Sequence, residues 1–126
     1  MKISNLCTRV DLELVQGATF GPVKHTLKNP DGTPVDLAGA TLRGQVRRKA
    51  SDPVVAASFV FTNAAPATGS YTFELSAAST AALTAGDSLV ATASIYEYDI
   101  ELLDTLGRVL PLLYGSLKVF REVTRA

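Results

Sequence analysis

Tryptophan is missing from this chain, and cysteine, histidine and methionine each occur once, as Cys7, His25 and Met1. One cysteine cannot close an internal disulfide, and with no His/Cys spacing around it Cys7 builds no zinc motif. A buried or strand-edge thiol is expected there, because a reactive thiolate needs a nearby histidine and a depressed pKa. No apolar run approaches the ~20 residues that span a bilayer. The start, Met1-Lys-Ile-Ser-Asn-Leu-Cys7, lacks the continuous apolar stretch of a secretory signal. Neither export nor a membrane partner is expected. Charge of one sign is also lacking. Twelve basic residues balance twelve acidic ones, so the broad positive field of a nucleic-acid binder is absent and no nucleic-acid partner is expected. Low net charge favours association with other proteins.

Catalytic motifs are missing too. There is no Gly-x-Ser-x-Gly elbow to pair with His25, which reads as a strand-surface histidine. Gly39 and Gly44 are not followed by Lys-Ser or Lys-Thr before a helix, so there is no phosphate loop. Glu13, Glu74 and Glu97 fall at polar phases of strands and read as solvated faces rather than as the paired carboxylates of a glycosidase. No enzyme activity, cofactor or metal is expected.

What the chain does have is alternation with a period of two. Val10-Asp-Leu-Glu-Leu14 sets Val10, Leu12 and Leu14 on one face of a half-buried antiparallel strand. Gln16-Gly17 permits a bend before Thr19 to Leu27, where Pro22 marks an edge or bulge because it cannot donate to a ladder. Asn29-Pro-Asp-Gly32 is a strong turn signal. From Thr41 to Arg47, Leu42, Gly44 and Val46 point inward, and Gly44 implies close approach of another group. Ser51-Asp-Pro53 is a second turn. Ala57, Phe59 and Phe61 share a phase, and so do Tyr71, Phe73 and Leu75, across a loop from Asn63 to Gly69.

Ser76 to Leu83 breaks the alternation. It is alanine-rich and opens on a possible N-cap serine, so it predicts a short helical turn near residues 77–83, with Leu83 plugging one end of the sandwich. A long strand from Leu89 to Tyr98 follows, with Leu89, Ala91, Ala93 and Ile95 in phase. Asp104-Thr-Leu-Gly107 reads as a hairpin turn. Val109 to Phe120 is the last strand or pair, with Pro111 at an edge or bulge. About seven or eight short antiparallel strands spaced by turn signals predict an all-β fold, an immunoglobulin-like β-sandwich. The 126 residues suit one domain: an N-terminal arm over 1–8, the sandwich over 9–121 and a polar tail over 122–126.

The order of these pieces carries a resemblance over roughly residues 9 to 123. Gln16-Gly-x-Thr-Phe20 is followed by Asp31-Gly32-x-Pro34-Val-Asp36-Leu37-x-Gly39-Ala40-Thr41 and a strand bearing Arg43, Arg47 and Arg48. Then come Thr68-Gly69-x-Tyr71-x-Phe73-x-Leu75-Ser76, a turn ending at Leu83-Thr-Ala-Gly86, and Asp104-x-x-Gly107-Arg108-Val109. The set resembles the N-terminal domain of phage baseplate upper proteins and related small tail proteins. That resemblance implies a β-sandwich that attaches to other virion proteins. The chain departs from the family in stopping after the sandwich, so a receptor-binding role does not carry over. Its region from Tyr98 to Leu113 is also more apolar than the family pattern.

Two clusters remain as interface candidates. The apolar hairpin carries Ile100, Leu102, Leu103, Leu106, Leu110 and Leu112, and an exposed apolar patch of that kind marks a contact surface; core burial is the competing reading. Arg43, Arg47 and Arg48, with Lys49, form a basic cluster suited to interprotein ion pairs or to cross-strand pairing on a solvated face. No aromatic residues interleave with it for base stacking. The run Glu97, Asp99, Glu101, Asp104 lacks the spacing of a calcium loop and reads as a hairpin rim.

The expected function is therefore that of a non-enzymatic phage virion structural protein, a tail or baseplate adaptor or accessory component. Its expected partners are other virion proteins and its own copies, as a homo-oligomer in a ring or tail assembly. A head decoration or head–tail connector protein is the alternative, and a small carbohydrate-binding module the alternative from another class. The latter is disfavoured by the lack of tryptophan.

Overall fold

A computed structural model describes residues 7–85 and 93–124. Gly86, Leu89, Ala91, most of the proposed arm and the end of the tail lie outside the described residues. The elements in chain order are β1 (Thr8–Arg9), β2 (Leu12–Val15), β3 (Phe20–Thr26), β4 (Thr41–Arg47), β5 (Ala57–Ser58), β6 (Val60–Thr62), a 3-10 turn (Pro66–Thr68), β7 (Ser70–Leu75), α1 (Ala77–Ala81), β8 (Ala93–Leu103) and β9 (Val109–Phe120).

These strands form two sheets. The larger has the order β1-β9-β8-β4-β5, with β2 also on β9, and the smaller is β3-β7-β6. Taking β3, β7 and β6 as strands B, E and D, and β4, β8 and β9 as C, F and G, the two sheets follow the strand order of an immunoglobulin-type sandwich. The all-β sandwich expected from the alternation is thus the observed fold.

Residue chemistry explains the division. Tyr71, Phe73 and Leu75 of β7 bury their side chains against Val46 of β4 and Tyr98 and Ile100 of β8 in one core. Phe59 sits where the chain passes from β5 in one sheet to β6 in the other. Its ring makes edge contacts with Phe73 (centroids 5.5 Å apart) and Tyr98 (5.8 Å), one from each sheet. The Ala57, Phe59 and Phe61 phase therefore runs through two short strands hinged on a core aromatic. Gly44 permits the close approach its position implied: a Cβ there would lie 2.9 Å from the Asp99 carbonyl oxygen and 3.1 Å from the Phe59 ring. Ser76 caps α1 by accepting from the Ser79 N–H (3.1 Å), and Leu83 is buried just beyond the helix. Pro22 lies on an edge strand, beside a register shift between Phe20 and Val23.

Three expectations need correction. The first strand is not antiparallel: β1 and β2 both pair parallel with β9, at Thr8 with Leu113 and at Leu12 with Leu117. The chain then turns at Gly17 and continues into the opposite sheet. Val10 is exposed because β1 and β2 break there, leaving only Leu12 and Leu14 inward. The phase of β8 is also reversed. Ile95 faces out, while Tyr96, Tyr98, Ile100 and Leu102 face in.

The tyrosines win the interior because each hydroxyl finds a backbone hydrogen-bond partner at the edge of the core, which offsets the cost of burying it. The Tyr96 hydroxyl accepts from the Thr84 N–H (2.9 Å) and lies 3.3 Å from the Thr84 carbonyl. This ties the start of β8 to the chain ahead of it, in the manner of the tyrosine corner of such sandwiches. The Tyr98 hydroxyl donates to the Val10 carbonyl (2.5 Å).

Candidate docking surface

The β8–β9 hairpin divides the apolar candidates by phase and height. Across it, Ile100 pairs with Leu113 and Leu102 with Leu110, and the ladder shifts register between Ile100 and Glu101, one residue beyond Pro111 on the facing strand. Ile100, Leu102 and Leu113 are buried in the core. Ile100 and Leu102 are therefore corrected from surface to core, because their phase on β8 points them at the opposite sheet. Leu103 and Leu112 are half-buried. Leu106 and Leu110 stand 75% and 45% exposed, with Val109 at 48% beside them.

The tip is held rigidly. The Gly107 N–H donates to the Asp104 carbonyl (3.1 Å), and Gly107 takes the positive φ of 80° that a tight turn needs there. The Asp104 carboxylate accepts from the Arg108 and Leu106 N–H groups and from the Arg108 guanidinium (2.6 Å). These bonds, the Arg108 N–H first, hold its carboxyl below the ordinary carboxylate range. Exposed apolar side chains, Leu106 on the turn and Val109 and Leu110 on opposite faces of the adjoining strand, thus crown a hydrogen-bonded tip.

The basic cluster is dispersed in use. Arg43 pairs with Glu101 across the strands. Arg47 donates to the Asp52 carbonyl (2.8 Å) and to the Gln45 side-chain oxygen (2.9 Å). Arg48 turns away, donating to the Ile95 carbonyl (2.9 Å) with its guanidinium 5.0 Å from the Tyr96 ring centre. Arg43 and Arg47 therefore belong to the outer face of the large sheet, and Arg48 braces the base of β8.

That outer face is concave. A depression of about 790 Å³ is lined by Arg9, Arg47, Glu97, Asp99, Tyr114 and Ser116 among others. Its acidic row is an alternating strand face. Glu97 accepts from the Ala50 N–H (2.6 Å). Burial, and then the neighbouring Glu101, raise the Asp99 carboxyl above its usual range, against the pull of Arg47 and Arg43. Among the described residues no group of three or more His, Cys, Asp or Glu side chains is arranged to hold a metal ion.

Away from this surface, His25, expected on a strand surface, is half-buried on β3. Its Nδ1 lies 2.7 Å from the Tyr71 hydroxyl. Burial lowers the imidazole's pKa and raises that of the phenol, so both groups are neutral at pH 7 and the imidazole tautomer sets which of them donates. Sequence reading missed this pair because the two residues are far apart in the chain. The signal available was that His25 shares the inward phase of Val23. Cys7 is partly covered, and burial pushes its thiol up, away from the thiolate form.

Among the described residues no helix is long and apolar enough to cross a membrane. Compared with protein-family models and with curated proteins, the sequence matches none.

Proposed function

We propose that this chain is a non-enzymatic structural module of a phage virion, a tail or baseplate adaptor or accessory component that works by binding neighbouring virion proteins. The observation that carries the reading is the exposed crest of Leu106, Val109 and Leu110 on the rigid hairpin turn. Apolar side chains carried on a backbone already ordered by the turn's hydrogen bonds leave less chain entropy to lose on binding, so they serve as an anchor for a partner pocket. The ordered motifs from Gln16 to Val109, with their resemblance to baseplate attachment domains, supply the setting. In such an assembly a modest contact suffices, because ring symmetry repeats it and each copy raises the effective concentration of the next.

The test is placement. Electron microscopy of the particle encoded alongside this chain should show its sandwich in the tail or baseplate, with the Leu106–Leu110 turn seated against a neighbour. Density in the head shell would support the head decoration reading instead. Absence from the particle would sink both.

A further inference from the structure

The outer face of the large sheet is patterned in rows. Across β4 and β8, Arg43 lies opposite Glu101, Gln45 opposite Asp99, and Arg47 opposite Glu97. Every outward position on β4 in these three rows is thus a hydrogen-bond donor, and every outward position on β8 is a carboxylate. The rows are incompletely used within one chain. Arg43 meets Glu101 and one Glu97 oxygen accepts from the Ala50 N–H, but Arg47 donates to a carbonyl and an amide rather than to a carboxylate. The Gln45 side-chain oxygen accepts from Arg47, and no hydrogen bond among the described residues occupies its amide N–H₂. None ends on the Asp99 carboxylate either, although Asp99 lies within the concavity.

Donor opposite acceptor in every row is a self-complementary pattern. A two-fold axis running parallel to the strands, between β4 and β8, lays β4 of one copy over β8 of another and keeps each row in place. Arg43 then meets the second copy's Glu101, Gln45 its Asp99 and Arg47 its Glu97, and each contact occurs twice, as an isologous interface requires. We infer that this face is a self-association surface whose occupant is a second copy of this chain, paired about that axis. The inference names a partner for the assembly role proposed above and rests on that role only for its biological setting.

The shared β5-β4-β8-β9 area is roughly 19 Å by 20 Å in projection, well below the ~800 Å² each partner buries in a standard interface. The dimer is therefore weak, and because its contacts are ionic, salt dissociates it. Asp99 fits the same geometry: burial disfavours its charge, and a facing donor would restore it.

Sedimentation velocity over a concentration series tests this in vitro, with circular dichroism confirming folding. Wild type should dimerise at low ionic strength and separate in high salt. R43E/R47E leaves only carboxylates among the charged groups of the three rows, and E97R/E101R leaves Asp99 as the one carboxylate among four arginines there. Each variant alone should self-associate at least about tenfold more weakly, since facing like charges are strongly disfavoured. An equimolar mixture of the two should dimerise again, because each supplies what the other lacks. Should a double variant not fold, R43E mixed with E101R carries the same test. A wild type still monomeric at about 1 mM, where any tighter Kd would show, overturns the inference. So does undiminished dimerisation by either variant alone, or a mixture that stays monomeric. None of these outcomes depends on where the chain sits in a particle.

Discussion

The two ends of the β8–β9 hairpin are built from the same residue types and do opposite things. Toward the base, Ile100, Leu113 and Leu117 are sealed between the sheets. At the tip, Leu106, Val109 and Leu110 have no sheet above them. Leu102 and Leu110 even pair across the ladder, one buried and one exposed. Apolar composition alone therefore does not separate core from contact surface; position relative to the opposing sheet does. Ile100→Ala is the strongest test of this contrast. It should cost about 2–5 kcal/mol in urea denaturation, as truncation of a fully buried aliphatic side chain does. Leu110→Ala should change stability by no more than about 0.5 kcal/mol. Similar losses at both sites would erase the distinction.

Tyr96→Phe sharpens the account of the base. It removes both hydrogen bonds to Thr84 and leaves the ring in place, so a loss of about 1–2 kcal/mol is expected. If the hydroxyl is incidental, the variant will melt with wild type.

His25 offers a smaller effect with a definite sign. Its folded-state pKa is depressed by burial. The unfolded chain therefore takes up the proton first. The stability from this group is fully present above the unfolded value of about 6.5 and is lost as pH falls below it. The urea midpoint of wild type should drop between pH 7.5 and 5.5 more than that of His25→Gln. Equal drops would show that other groups govern the acid side. Smallest of all, Arg43→Ala should alter monomer stability by about 0–1 kcal/mol, as exposed ion pairs do.

Local signals made most of the fold legible. Period-two alternation located β2, β4 and β7, turn chemistry located Asn29–Gly32 and Asp104–Gly107, and Ser76 announced the helix cap. Gly44 disclosed the close packing of β4 against its neighbours. What the residues did not disclose were long-range choices. Ala93 and Ile95 offered β8 one apolar phase, and Tyr96 and Tyr98 offered the other. Only the distant partners Thr84 and Val10 decide between them. Parallel pairing of β2 with β9 likewise depends on where the chain ends meet in space. At the surface, the apolar hairpin was legible as a candidate, but its division into core and crest needed the opposing sheet.

The claim that the crest docks a neighbour is tested most directly by charging it. Leu106→Asp with Leu110→Asp, introduced into the assembling particle, should abolish incorporation of the chain while the purified variant melts within a few degrees of wild type. Normal incorporation of a folded variant would contradict the account, and unfolding of the isolated variant would show that these leucines belong to the core.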